Sequence, residues 1–229
     1  MQIDIKGCIV SDGEGWIYDY FDIPYTSPKK VNELIGSAGG EPLEIFVNSG
    51  GGDIFAGSEI YSAIRAYAGA VNIHVTGIAA SAASVIACAG NSDISPTAMV
   101  MVHNVSATAA GDYRVMDKRS ETLKKANETI AAAYVAKTGM KQSEALALMD
   151  RETWLSAEDA VKIGLIDKIA DSRNIQLVAS YNSGLLPREV INKMQNQRME
   201  NSTDADFLCR KNAAQVKLNQ LKLGGIKND

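Results

Sequence analysis

The sequence predicts an α/β fold, and three observations predict it. Residues 43–47 (LEIFV), 71–76 (VNIHVT) and 98–102 (AMVMV) are short apolar runs, most of them carrying β-branched residues, as buried strands do. Helical patterns follow at residues 54–67, 82–89 and 113–140. Strand and helix therefore alternate along the chain, which is the pattern of α/β domains.

In chain order, residues 3–8 (IDIKGC) give the first strand. The strand at 43–47 then runs into a loop, Asn48-Ser49-Gly50-Gly51-Gly52-Asp53. Glycine lets backbone N–H groups point where a residue with a Cβ could not, so the loop suits an anion or an oxyanion. The Lys and Ser/Thr of a Walker loop and the G-x-G-x-x-G spacing are both missing, which argues against a nucleotide. Past the helix at 54–67, the strand at 71–76 leads to Gly77-Ile78-Ala79-Ala80-Ser81-Ala82-Ala83-Ser84. Ser81 falls at the junction with the next helix. A sharp strand-to-helix turn projects its side chain outward, and the N–H groups at the helix start can hold a developing negative charge beside it. Ser81 is thus a candidate nucleophile. The competing reading is that small residues let a helix pack closely on a sheet, with Ser84 an ordinary core-facing or capping serine.

A serine attacking a carbonyl needs a base, and the chain has two histidines. His74 lies inside the strand at 71–76, on the face opposite Ile73 and Val75, and reads as structural. His103 follows the strand at 98–102 where the chain turns polar, and strand ends that feed loops present catalytic groups. The third group should be a carboxylate that fixes the imidazole tautomer. Asp150 and Glu152 are the candidates, although carboxylates in such a connection are commonly solvated or capping. Ser156, followed by Glu158 and Asp159, reads as the N-cap of a further helix. The long pattern at 113–140 places Leu123, Ile130, Tyr134 and Val135 among polar residues, and Gly139 ends it.

Five ordered blocks resemble the ClpP peptidase family: Asn48-Ser49-Gly50-Gly51-Gly52, Gly77-Ile78-Ala79-Ala80-Ser81, the strand ending in His103, the long helix, and the run from Leu155-Ser156-Ala157 to Asp167. The likeness covers roughly residues 3–170. It implies a ClpP/crotonase-like superhelix of repeated ββα units with a helical handle. It also implies a serine endopeptidase without metal or cofactor, with Ser81 as nucleophile, His103 as general base, and Gly52 and Ala82 as oxyanion-hole amides. The family's acid stands three residues before Leu155, which makes it Glu152 here, where housekeeping members usually carry Asp; Asp150 is the alternative acid. The handle between His103 and Glu152 implies a homo-oligomer, a ring of unstated size.

Departures from the housekeeping pattern point to one branch. Glu152-Thr153-Trp154 is typical of phage and prophage members. Residues 3–8 already form the first strand, without the longer segment that lines an axial entrance, which argues against docking to an AAA+ unfoldase. Gly50 replaces a proline, and the chain continues well past Ala170. The outline is similar to a phage head-maturation protease, whose substrate would be a capsid or scaffold precursor. Two other classes stay open: a crotonase-like acyl-CoA enzyme, which needs no serine nucleophile, and a non-catalytic assembly protein whose triad never aligns.

Composition fits one core, with 229 residues of which 46% are apolar. No apolar stretch reaches the ~20 residues that span a membrane, and residues 1–5 lack the basic and apolar regions of a signal peptide, so a cytoplasmic protein is expected. Cys8, Cys88 and Cys209 are odd in number and scattered, fitting neither a disulfide framework nor a zinc site. Residues 1–172 are expected to form the peptidase domain, with 14 Lys+Arg against 22 Asp+Glu. Residues 173–229, with 9 against 5, form a basic polar tail, helical or partly disordered. Pro187 can start one helix of the tail, and residues 203–206 can cap a second. Such a tail is mobile and solvated, or docks on acidic surface of a neighbouring subunit or a capsid protein. No Lys/Arg cluster or aromatic stacking set points to nucleic acid.

Overall fold

A computed structural model describes residues 1–171 and 186–201. The chain divides into two compact units, Met1–Leu185 and Leu186–Asp229. In the first, β1 (Gln2–Ile9), α1 (Gly15–Tyr20), β2 (Tyr25–Thr26), α2 (Pro28–Ser37), β3 (Leu43–Gly52), α3 (Ile54–Ala66), β4 (Val71–Ala80) and α4 (Ala82–Ala87) alternate as expected. They are followed by β5 (Asn91–Ile94), β6 (Met99–Val102), α5 (Tyr113–Thr138), α6 (Gln142–Asp150), β7 (Thr153–Ser156), α7 (Ala157–Lys162) and β8 (Lys168–Ile169). In the second unit, α8 (Arg188–Asn201) starts directly after Pro187, whose carbonyl accepts from Val190 and Ile191. The expected boundary at residue 172, the second tail helix and Cys209 lie outside the described residues.

The sheet runs β2-β1-β3-β4-β5-β8 with every pairing parallel, while β6 pairs parallel with the far end of β4 and antiparallel with β7. The two-residue alternation of a strand explains its two faces. Ile45, Val47, Ile73 and Val75 face a core shared with Ile60 and Ile64 of α3 and Ile86 of α4. The opposite face carries Glu44, Phe46, Asn72, His74 and Thr76, which line a groove of about 810 Å³.

Two strands outrun the sequence reading. The glycine run at 50–52, expected to be a loop, is the last part of β3: Gly51 and Gly52 pair with Cys8 and Ile9 of β1, past a register shift between Lys6 and Cys8. Likewise β4 continues through Gly77–Ala80 because β3 and β6 offer it partners. The long helix matches its expected span. Asp112 caps it by accepting from the Val115 N–H at 3.1 Å, and Gly139 closes it at φ 74°. Its burial is confined to Ile130, Ala131, Ala133 and Tyr134, while residues 113–122 are exposed.

His74 is structural, as its place inside a strand indicated. Its Nδ1 lies 2.9 Å from Asp93 on β5 and its Nε2 2.8 Å from Glu44 on β3, so one imidazole fastens three parallel strands. The bond to Asp93 raises the His74 pKa, against the opposing effect of burial, and Glu44 adds to the rise. Lys168 of β8 stands opposite Asp93 in register. Because the folded value lies above the unfolded 6.5, the stabilisation is complete below 6.5 and is lost as pH rises through the folded value. His74→Gln should therefore lower Tm more at about pH 5.5 than at about pH 9. Thermal unfolding of both chains at the two pH values checks this, and equal losses would contradict it.

Candidate active site

Ser81 occupies the single residue between β4 and α4, at φ 54° and ψ −123°. A non-glycine residue there stores on the order of 1–3 kcal/mol of strain and persists only where its surroundings over-determine it. They do so here through hydrogen bonds on both sides of the residue. The Ser81 N–H donates to the Met101 carbonyl at 2.9 Å, and the Ser81 carbonyl accepts from the Ser84 N–H at 3.0 Å and the Ser84 hydroxyl at 2.6 Å. The flanking Ala79, Ala80, Ala82 and Ala83 are all buried and bring no bulk to the turn.

The glycine pair at the end of β3 is wedged between this turn and β1. A Cβ on Gly51, at φ 93°, would stand 2.6 Å from the Ala80 oxygen and 2.8 Å from the Ser81 Cβ. One on Gly52, at φ 150°, would stand 2.1 Å from the Ile9 oxygen. Both positions thus require glycine, by conformation and by space.

His103 reaches Ser81 because β6 pairs with the end of β4, with Ala80 opposite Met101. Its Nε2 lies 2.8 Å from the Ser81 Oγ. With the serine O–H donating to Nε2, the ring proton sits on Nδ1 and is available to a carboxylate. Serine and histidine are therefore brought together.

The acids are not brought to His103. Asp150 accepts from the Asn104 side-chain amide at 2.8 Å, and Glu152 accepts from the Trp154 indole N–H at 3.4 Å. Both carboxylates are exposed, and neither is hydrogen-bonded to His103. The backbone nevertheless distinguishes them. In the antiparallel β6–β7 pair Val102 stands opposite Thr153, so the next step of the same register sets His103 against Glu152. Glu152 itself is at φ 49°, a second non-glycine residue in the left-handed region at this end of the sheet.

The two described thiols, Cys8 and Cys88, take no part in the site. Burial pushes Cys8 up to about 11 and Cys88, packed at the end of α4, up to about 12, which keeps both protonated. Sequence reasoning missed one buried pair beside Ser81, the hydroxyls of Ser84 and Tyr134, 2.8 Å apart. The 50 positions between them hide the contact from any local pattern.

Residues 33–173 match the family profile described as Clp protease. The ATP-dependent Clp protease proteolytic subunit 1 of Chlamydia muridarum is 32% identical over 151 residues, 64% of this chain and 79% of that one. Its namesake in Chlamydia trachomatis is 32% identical over 140 residues, 59% and 73% of the two chains. The ATP-dependent Clp protease proteolytic subunit of Deinococcus radiodurans is 29% identical over 134 residues, 57% and 66%.

The fit at Gly51 generates a prediction. Gly51→Ala must push the Ser81 turn out of place, and displacements of this kind cost on the order of 10²-fold in rate. Peptide hydrolysis by Gly51→Ala should fall by that factor, whereas Gly139→Ala, where no atom lies within 4 Å of the added methyl, should keep full activity and lose only stability.

Proposed function

The chain belongs to the Clp protease family, and we propose that it works as a serine endopeptidase with Ser81 as nucleophile and His103 as general base. The observation that carries this reading is the 2.8 Å contact between the two side chains at a strained strand-to-helix turn. Ser81 Oγ attacks the scissile carbonyl while its proton passes to His103 Nε2. The tetrahedral oxyanion is received by the N–H groups of Gly52 and Ala82. Collapse gives the proton from Nε2 to the leaving amine and leaves an acyl group on Ser81, which a water activated by His103 then hydrolyses.

Glu152 is the acid in this proposal. Extension of the β6–β7 register sets it against His103, and its contact to Trp154 is long and weak at 3.4 Å. Asp150 is committed to Asn104 at 2.8 Å. Turning the Glu152 carboxylate from the indole to the Nδ1 proton would complete a triad. A crotonase-like role would draw on the paired amides alone and would leave the Ser81–His103 contact without a use.

The finer reading is a phage-type protease that processes capsid or scaffold precursors as a ring-forming homo-oligomer. Its support is the Glu152-Thr153-Trp154 sequence and the exposed first part of α5, which offers an assembly surface. The named relatives are subunits of an ATP-dependent protease.

Ser81→Ala should lower peptide hydrolysis by ~10³-fold or more without changing oligomeric state, measured in size-separated fractions. Glu152→Gln should lower kcat by ~10²- to 10⁴-fold. Asp150→Asn should stay within about threefold of the parent chain. The reverse order for the two acids would move the third member to Asp150, and unchanged hydrolysis by Ser81→Ala would overturn the mechanism.

A further inference from the structure

Ser84 and Tyr134 are buried polar residues that no step above uses, at 0% and 3% exposure. Ser84 lies on α4 and Tyr134 on α5. The Ser84 Oγ is 2.6 Å from the Ser81 carbonyl oxygen and 2.8 Å from the Tyr134 hydroxyl. The carbonyl can only accept, so the single hydroxyl hydrogen of Ser84 goes to it, and Ser84 Oγ must accept from Tyr134. The chain of bonds therefore has one direction, from Tyr134 O–H through Ser84 O–H to the Ser81 carbonyl. Burial pushes the Tyr134 hydroxyl well above its ordinary value of 10.0, so it stays protonated as a donor.

This carbonyl belongs to the same planar trans peptide as the Ala82 N–H, and the two groups point in opposite directions. Fixing the oxygen fixes the N–H. A helical serine that bonds back three residues is common and would by itself be only local structure. A buried tyrosine donating to it from a helix elsewhere in the chain makes it an anchor, because the Ser84 hydroxyl cannot rotate away without leaving both its own O–H and that of Tyr134 unsatisfied.

We propose that Ser84 and Tyr134 are positioning residues which hold the Ser81–Ala82 peptide in the orientation that aims the Ala82 N–H at the oxyanion. The inference rests on the serine-peptidase reading. It adds that α5, through Tyr134, is tied to the backbone of the attacking residue and not merely packed beside it.

Tyr134→Phe and Ser84→Ala test it, together with the double variant. Each is assayed for kcat and KM with a peptide substrate, per active site counted from the burst of an activated ester, and for inhibition by a peptide aldehyde that forms an oxyanion on the serine. Loss of one such buried hydrogen bond should lower kcat roughly 5- to 10-fold, leave KM within twofold, and weaken the aldehyde by the same factor as kcat. The double variant should be little worse than Ser84→Ala, since the bonds form one chain. A purely structural role would change the number of countable sites and Tm but not kcat per site or aldehyde affinity, and that result would overturn the proposal. Should Tyr134→Phe fail to fold, Ser84→Ala carries the test alone, because three of the six residues of α4 are already alanine. If the unaltered chain gives no burst, and Ser81→Ala hydrolyses peptide as fast as it does, the peptidase reading itself has failed, an outcome distinct from unchanged kcat in the two hydroxyl variants.

Discussion

The hydrogen bonds that pin Ser81 at φ 54° bear on every other part of the site. A serine in that conformation gives up favourable backbone geometry so that its hydroxyl stands outside both the sheet and the helix it joins. The strain is sustained by bonds from both directions: β6 accepts the Ser81 N–H through Met101, and the first turn of α4 donates to the Ser81 carbonyl. The alanines at 79, 80, 82 and 83 are buried around the turn, and a Cβ on Gly51 would collide with it.

The same pairing that holds Ser81 delivers its partner. Because β6 adds to the end of β4, the residue that follows β6 arrives beside the residue that follows β4, and His103 meets Ser81 without any long side-chain reach. The antiparallel return of β7 sets Thr153 opposite Val102, and one further step of that register would set Glu152 against His103. Strand ends at one place in a mostly parallel sheet thus set Ser81 and His103 in contact, while the Glu152 carboxylate lies on Trp154. The fastening of β3, β4 and β5 by His74 lies on the opposite face of the same sheet and stabilises the scaffold without entering the chemistry.

Much of this was legible in the sequence, for identifiable reasons. The strand at 71–76 declared itself through β-branched residues, and place along a strand, inside for His74 and at the end for His103, separated the two as structural and catalytic candidates. The last residues of β4 did not, because Gly77, Ala79 and Ala80 have no strand preference and are held extended by neighbours. The glycines of 50–52 misled in the same way: read as a loop by composition, they are strand because β1 pairs with them. Strands of two to four residues, such as β7 and β8, carry too few positions to show a period, so the register that favours Glu152 over Asp150 was invisible. The contact of Ser84 with Tyr134 is tertiary and has no local signature.

Whether Ser81 is chemically activated by His103 decides the account. The direct measurement is covalent labelling by a fluorophosphonate, with the modified peptide identified by mass spectrometry, in the unaltered chain and in His103→Ala. An adduct on Ser81 whose rate of formation falls by ~10²-fold or more without the imidazole is the result expected of a general base at 2.8 Å. An adduct that forms equally fast in His103→Ala, or no adduct on Ser81 in any oligomeric fraction, would contradict it.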